Sequence, residues 1–189
     1  MEIKYLGKKF FIIKGKKESV LVNPEEKIPV GDKSRIVIRN EAIIEADKRD
    51  EERVVVMGPG EYEIGGVEIN GFSAGNGKTY YSVTVDGVVV GIIGKLEEKL
   101  TDKRVEKISG VDVLIADISN GIGPKEILNL AKKWGANYVI PAGYDQGDAA
   151  IKKFIDESDI EGQELMESLK LDKDNLPEGT EVVILKEVK

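Results

Sequence analysis

The sequence predicts an α+β fold with helices packed outside layered β-sheet. Three observations carry this. The first half of the chain reads as strand after strand. The second half alternates apolar strands with amphipathic helices. The chain has 189 residues, 41% of them hydrophobic, which suits one compact domain over residues 1–189 with a sizeable core. No low-complexity segment or linker divides it.

Each element follows from local pattern. "EIKYL" (2–6), "KFFIIK" (9–14) and "SVLVN" (19–23) are short, apolar and β-branched, with Gly and Lys turns between them. "RIVIR" (35–39) and "RVVVM" (53–57) repeat the pattern. In "YEIGGVEI" (62–69), Gly65-Gly66 marks a tight hairpin, and Asp86-Gly87 does the same inside residues 78–93. Residues 100–109 predict a helix capped by Thr101. "DVLIADI" (112–118) predicts a buried strand. Residues 123–135 give the clearest helix, with Pro124 in its first turn, Gly135 at its C-cap and Ile127, Leu130, Ala131 and Trp134 on one face. "NYVIP" (137–141) predicts the next strand. Residues 146–158 and 160–170 predict helices, and residues 181–188 a closing strand.

Composition excludes several functions. The formal net charge is −7, from 28 basic and 35 acidic residues, so a nucleic-acid partner is not expected. Lysines interrupt the apolar N-terminal residues too often for a signal peptide or membrane span. A cytoplasmic protein without a membrane partner is therefore expected. There is no cysteine and no histidine. Disulfides, thiolate sites and every His-dependent catalytic dyad or triad are thereby excluded. Any metal would need oxygen ligands, which favours magnesium, calcium or manganese over zinc.

Four motifs need weighing. "GNGKT" (75–79) resembles the end of a phosphate-binding loop, but Phe72 stands where a glycine is needed and a strand follows. "GPGEYEIGG" (58–66) fails the dinucleotide spacing at Glu63 and reads as a turn into a hairpin. Glu41, Glu45 and Asp47 could form an acidic metal site, but a solvated charged loop explains them better. Lys95 follows a strongly apolar strand, where it would bind an anion, pair with a carboxylate or sit in an exposed turn.

Taken together, these segments resemble the metallo-β-lactamase superfamily, especially small stand-alone hydrolases related to the L-ascorbate-6-phosphate lactonases. The likeness spans nearly the whole chain, and "GPGEYEIGGVEINGF" is its most specific part. Residues 1–24 resemble opening strands that carry G-H-S/A-C/T-F and I-D-P. "VDGVVVGIIGKLEEKLT" resembles a strand ending in L-G-D, and "YVIPAGYD" one ending in I-P-x-H-Y. The resemblance implies a four-layer αββα sandwich and a dinuclear metal site. It also implies that the ligand positions have been replaced. The H-x-H-x-D-H motif falls on Asn40, Ala42, Ile44 and Glu45. The next histidine falls at about Asn76, the metal-bridging aspartate at Lys95 and the last histidine at Gly143. Lys8 stands at the histidine of the G-H-S motif, and Asn23 at the aspartate of I-D-P.

The expectation is therefore a metal-free, catalytically inactive member of this fold, without a cofactor. It would act as a binding or assembly partner, for another protein or a second copy of itself. The alternative is a hydrolase of a small anionic substrate, with an atypical site of Lys95 and carboxylates or an oxygen-bound metal. In either case Lys95 is expected within ion-pair reach of Glu45 or Asp145.

Overall fold

The computed structural model describes residues 1–24, 32–41, 53–119, 121–145, 148–158 and 165–188. The chain opens with β1 (Glu2–Tyr5), β2 (Phe11–Lys14), β3 (Ser19–Val22), β4 (Ile36–Arg39) and β5 (Val54–Met57). Next come β6 (Gly60–Ile64), β7 (Val67–Gly75), β8 (Lys78–Val85) and β9 (Val88–Ile93). The second half holds α1 (Asp102–Val105), β10 (Val113–Asp117), α2 (Pro124–Trp134), β11 (Tyr138–Ala142) and α3 (Ala149–Glu157). It ends with β12 (Leu169–Lys170) and β13 (Glu181–Val182).

The strands form two sheets. The first runs β12-β1-β2-β3-β4-β5 and the second β13-β11-β10-β9-β8-β7-β6. In the second sheet β6 to β9 is an antiparallel meander, whereas β9, β10, β11 and β13 run parallel. The predicted turns explain the meander. Gly65 and Gly66, like Asp86 and Gly87, adopt consecutive positive φ angles, as two-residue hairpins require.

Burial follows the two-residue period of the strands. Ile13, Val20, Ile36 and Ile38 join the main core between the sheets. Their neighbours Ile12, Leu21 and Val37 form a second small core with Phe10 on the opposite face. Every residue of β10 is buried, as expected for a parallel strand covered on both faces. Helix α2 packs Ile127, Leu130, Ala131 and Trp134 into the main core. Trp134 stacks on Tyr80 at 6.1 Å and donates from Nε1 to the carbonyl of Val105 at 2.9 Å.

Three expectations need correction. The helix expected over 100–109 is only four residues long, and Thr101 makes no side-chain cap bond. The Tyr80 hydroxyl takes the carbonyl of Arg104, and the Trp134 indole that of Val105. The same carbonyls also accept from the N–H groups of Lys107 at 3.4 Å and Ile108 at 3.3 Å, so the helix closes in a tightened turn three residues wide. The helix expected over 160–170 is not formed in residues 165–170. Residues 160–164 lie outside the described residues, and Leu169 pairs with Ile3 on β1. The closing strand is also shorter than expected, since β13 ends at Val182.

Trp134 therefore ties α2, α1 and β8 together. Trp134→Ala is expected to lower stability by about 3–5 kcal/mol, measured by urea denaturation. A cost below about 1 kcal/mol would show that this contact is not central to the core.

Candidate functional site

Three parallel strands end side by side. Asp117, the last residue of β10, pairs with Ala142 at the end of β11, and Ile93 at the end of β9 pairs with Ala116. The carboxyl edge of such a sheet is where α/β proteins build sites. Lys95 lies just beyond β9 and Gly143 just beyond β11, so the topology brings these predicted positions to one edge.

Asn40 caps β4 and is 4% exposed. Its Oδ1 accepts from Asn23 Nδ2 at 2.7 Å. Its Nδ2 donates to the carbonyl of Thr79 at 2.7 Å and, at 3.4 Å, to that of Ile92. Asn23 Oδ1 in turn accepts from the Asn40 backbone N–H at 2.9 Å. The positions expected to hold an aspartate and a histidine are thus a reciprocal amide pair linking both sheets. A Cβ at Gly94 would lie 2.9 Å from Asn40 Cβ, so β9 closes tightly against this pair.

Gly143 is equally closed. Its φ is +78°, and an added Cβ would lie 2.8 Å from Asp117 Cγ. The Asp117 carboxylate is 4% exposed. Its Oδ1 accepts from the Ser119 N–H at 2.8 Å and the Ser119 hydroxyl at 2.5 Å. Its Oδ2 lies 2.9 Å from Lys9 Nζ, but off the direction a hydrogen bond needs. The contact is thus an ion pair without a well-directed hydrogen bond. Lys8 lies beside it, bridging to Tyr144, and its carbonyl accepts from the Gly143 N–H at 2.6 Å. A lysine–carboxylate pair does sit at this edge, formed by Lys9 and Asp117. The sequence reading missed both. The available signals were the doubled lysine after Gly7 and an acid ending a wholly apolar strand.

Tyr144 follows Gly143 and stacks on Tyr5 at 5.6 Å. Its backbone carbonyl accepts from the Tyr5 hydroxyl at 2.8 Å. Its own hydroxyl is buried without a hydrogen-bond partner, and burial pushes its pKa up to about 12.

Lys95 and Asn76 meet elsewhere on the edge. They line a cleft of about 260 Å³ with Lys78 and Arg104. Asn40 and Lys95 also share a smaller hollow with Lys78 and Gly94. Asp145 is exposed and, among the described residues, forms no ion pair with Lys95. Ala42, Ile44, Glu45 and Asp47 lie outside the described residues, and with them the expected Lys95–Glu45 contact.

A dinuclear metal centre needs several imidazole and carboxylate donors in fixed geometry. The residues present do not fit one. The Asn40 carbonyl oxygen is committed to Asn23, Gly143 offers no donor, and Lys95 brings a cation. Among the described residues no group of three or more His, Cys, Asp or Glu could hold a metal ion.

Two measurements check this geometry. Lys9→Met strips the cation from a buried carboxylate. The expected cost is about 1–3 kcal/mol, below that of a fully buried pair because the Lys9 side chain is 37% exposed. Adding Asp117→Asn is expected to recover part of it, and strictly additive effects would show that the pair is not coupled. Tyr144→Phe removes an unpartnered buried hydroxyl, so unchanged or raised stability is expected. Because the folded state holds this phenolic proton more tightly than the unfolded chain, its contribution is present below pH 10. It is lost as pH rises toward 12. Tyr144→Phe should flatten that alkaline decline, and an unchanged slope would contradict the assignment.

The likeness to known proteins agrees with this fold. Residues 2–143 match the family model described as a beta-lactamase superfamily domain. No curated protein matches the chain. Among solved structures, a Thermotoga maritima protein assigned to the Zn-dependent hydrolases of the metallo-β-lactamase superfamily is 23% identical, with a TM-score of 0.78 and 97% of each chain covered. A metallo hydrolase from the archaeon Ignicoccus hospitalis is 14% identical, with a TM-score of 0.60 over 90% of this chain and 99% of that one. An isothiocyanate hydrolase from Delia radicum gut bacteria is 10% identical, with a TM-score of 0.63 over 100% and 98%. At these identities the structures testify to the fold alone. With two mixed sheets, few helices and a family match over most of its length, the chain belongs to the metallo-β-lactamase superfamily.

Proposed function

We propose that this protein is a metal-free, catalytically silent member of its superfamily that acts by binding, as a partner in an assembly or as a receptor for a small anion. The observation that supports this most is the commitment of Asn40. In a hydrolase of this fold that position must offer a free lone pair to a metal, whereas here both polar ends of its side chain are taken. The crowding of Gly143 by Asp117 supports the same reading at the opposite end of the edge. Without a metal or an imidazole, nothing at this edge would lower the pKa of a water enough to generate hydroxide near neutral pH.

The chain's own residues instead hold charge in fixed places. Lys9 neutralises Asp117, and Lys95 presents a cation beside the Asn40 pair. No described helix is long and apolar enough to cross a membrane.

Elemental analysis of protein purified without chelator is expected to find far less than one zinc per chain. Assays with β-lactam, lactone and phosphodiester substrates are expected to show no metal-dependent turnover. One tightly held zinc per chain, or turnover abolished by Glu45→Ala, would overturn the proposal.

A further inference from the structure

We infer that the cleft between the β7–β8 turn and the segment after β9 is a binding site for a compact small-molecule anion carrying at least two negative charges. The inference rests on the binding role proposed above and names its ligand class. The chain is acidic overall, yet Lys78, Lys95, Lys99 and Arg104 line this cleft against Glu97 and Glu98. Among the described residues four cations and two acids line the cleft, and Glu41 lines the adjoining hollow that shares Lys78 and Lys95, so the local balance still opposes that of the whole chain.

The cations are unequally compensated. Lys99 is turned onto Glu126 at 2.6 Å. Arg104 Nη1 is anchored to the carbonyl of Ala74 at 3.1 Å. That bond leaves its charge unneutralised. Among the described residues the Lys78 ammonium has two long contacts, at 3.3 Å each, to the carbonyl of Lys95 and to Glu97. The Lys78 side chain is 22% exposed, whereas that of Glu97 is 63% exposed, so the acid is easily displaced by a ligand. Lys95 is half-buried and, among the described residues, forms no ion pair. Half-buried ammonium groups with weak partners favour an arriving anion, because part of their desolvation is already complete.

The cleft volume of about 260 Å³ suits a compact ion better than an extended chain. Lysine ammoniums act as point charges and do not impose a planar bidentate geometry. Phosphate groups and clustered carboxylates therefore present the same chemistry here. Glu97 would act as a competing internal anion, setting a threshold that singly charged ligands do not pass.

The test is calorimetric titration of the full chain, at low and at physiological salt, with inorganic pyrophosphate, citrate and acetate. Saturable binding of pyrophosphate or citrate is expected, with acetate at least tenfold weaker. Whichever of the two binds more tightly identifies the source chemistry. Lys95→Gln and Lys78→Gln should each weaken binding about tenfold, Glu97→Gln should tighten it, and exposed Lys170→Gln should leave it unchanged. Absence of saturable binding by both polyanions, or equal affinity in Lys95→Gln, would overturn the inference. Neither result would bear on the metal-free reading, which zinc content tests separately.

Discussion

The Asp117 carboxylate, held under Gly143 by Ser119 and faced by Lys9, is the constraint on which this edge of the molecule depends. It ends a strand buried along its whole length, so the carboxylate is held away from water. A buried carboxylate needs compensation from a cation or from N–H and O–H donors. Lys9 and Ser119 supply both. Their presence fixes the β1–β2 turn against β10 and β11, through the Lys8 carbonyl and the Gly143 N–H. Gly143 follows from the same arrangement, because any side chain there would run into the acid.

The other end of the edge is organised differently, with amides in place of charges. Asn23 and Asn40 satisfy each other, and Asn40 reaches the carbonyls of Thr79 and Ile92, joining the two sheets. Neutral amides suit this position because they need no counter-ion. Lys95 stands at the rim as a cation that, among the described residues, forms no ion pair. The two ends together are held by hydrogen bonds and one ion pair, where the parallel strands finish side by side.

Much of the fold was legible in the sequence because local and tertiary preferences agree. Gly65-Gly66 and Asp86-Gly87 specify hairpins that the sheet uses, and Pro124 and Gly135 bracket a helix whose apolar stripe meets the core. Where they disagree, the sequence misleads. Residues 165–170 have helical composition, but Leu169 completes an open sheet edge beside Ile3, and pairing outweighs propensity. The last residues of α1 are likewise bound by Tyr80 and Trp134, which are distant in sequence. At the site, the resemblance singles out Asn40, Lys95 and Gly143 one by one. Their partners could not be read from it, since Asn23, Lys9 and Asp117 meet them only through the fold.

The most direct test of this account is the coupling between positions 143 and 117, measured by urea denaturation of Gly143→Ala, Asp117→Ala and the double variant. Part of the Gly143→Ala cost, about 1 kcal/mol, reflects the positive φ and should persist in either background. If Asp117 fills the space, the remaining cost should disappear when its side chain is removed, giving a coupling of about 1–3 kcal/mol. Equal costs of Gly143→Ala with and without Asp117 would show that the carboxylate does not fill the space beside Gly143.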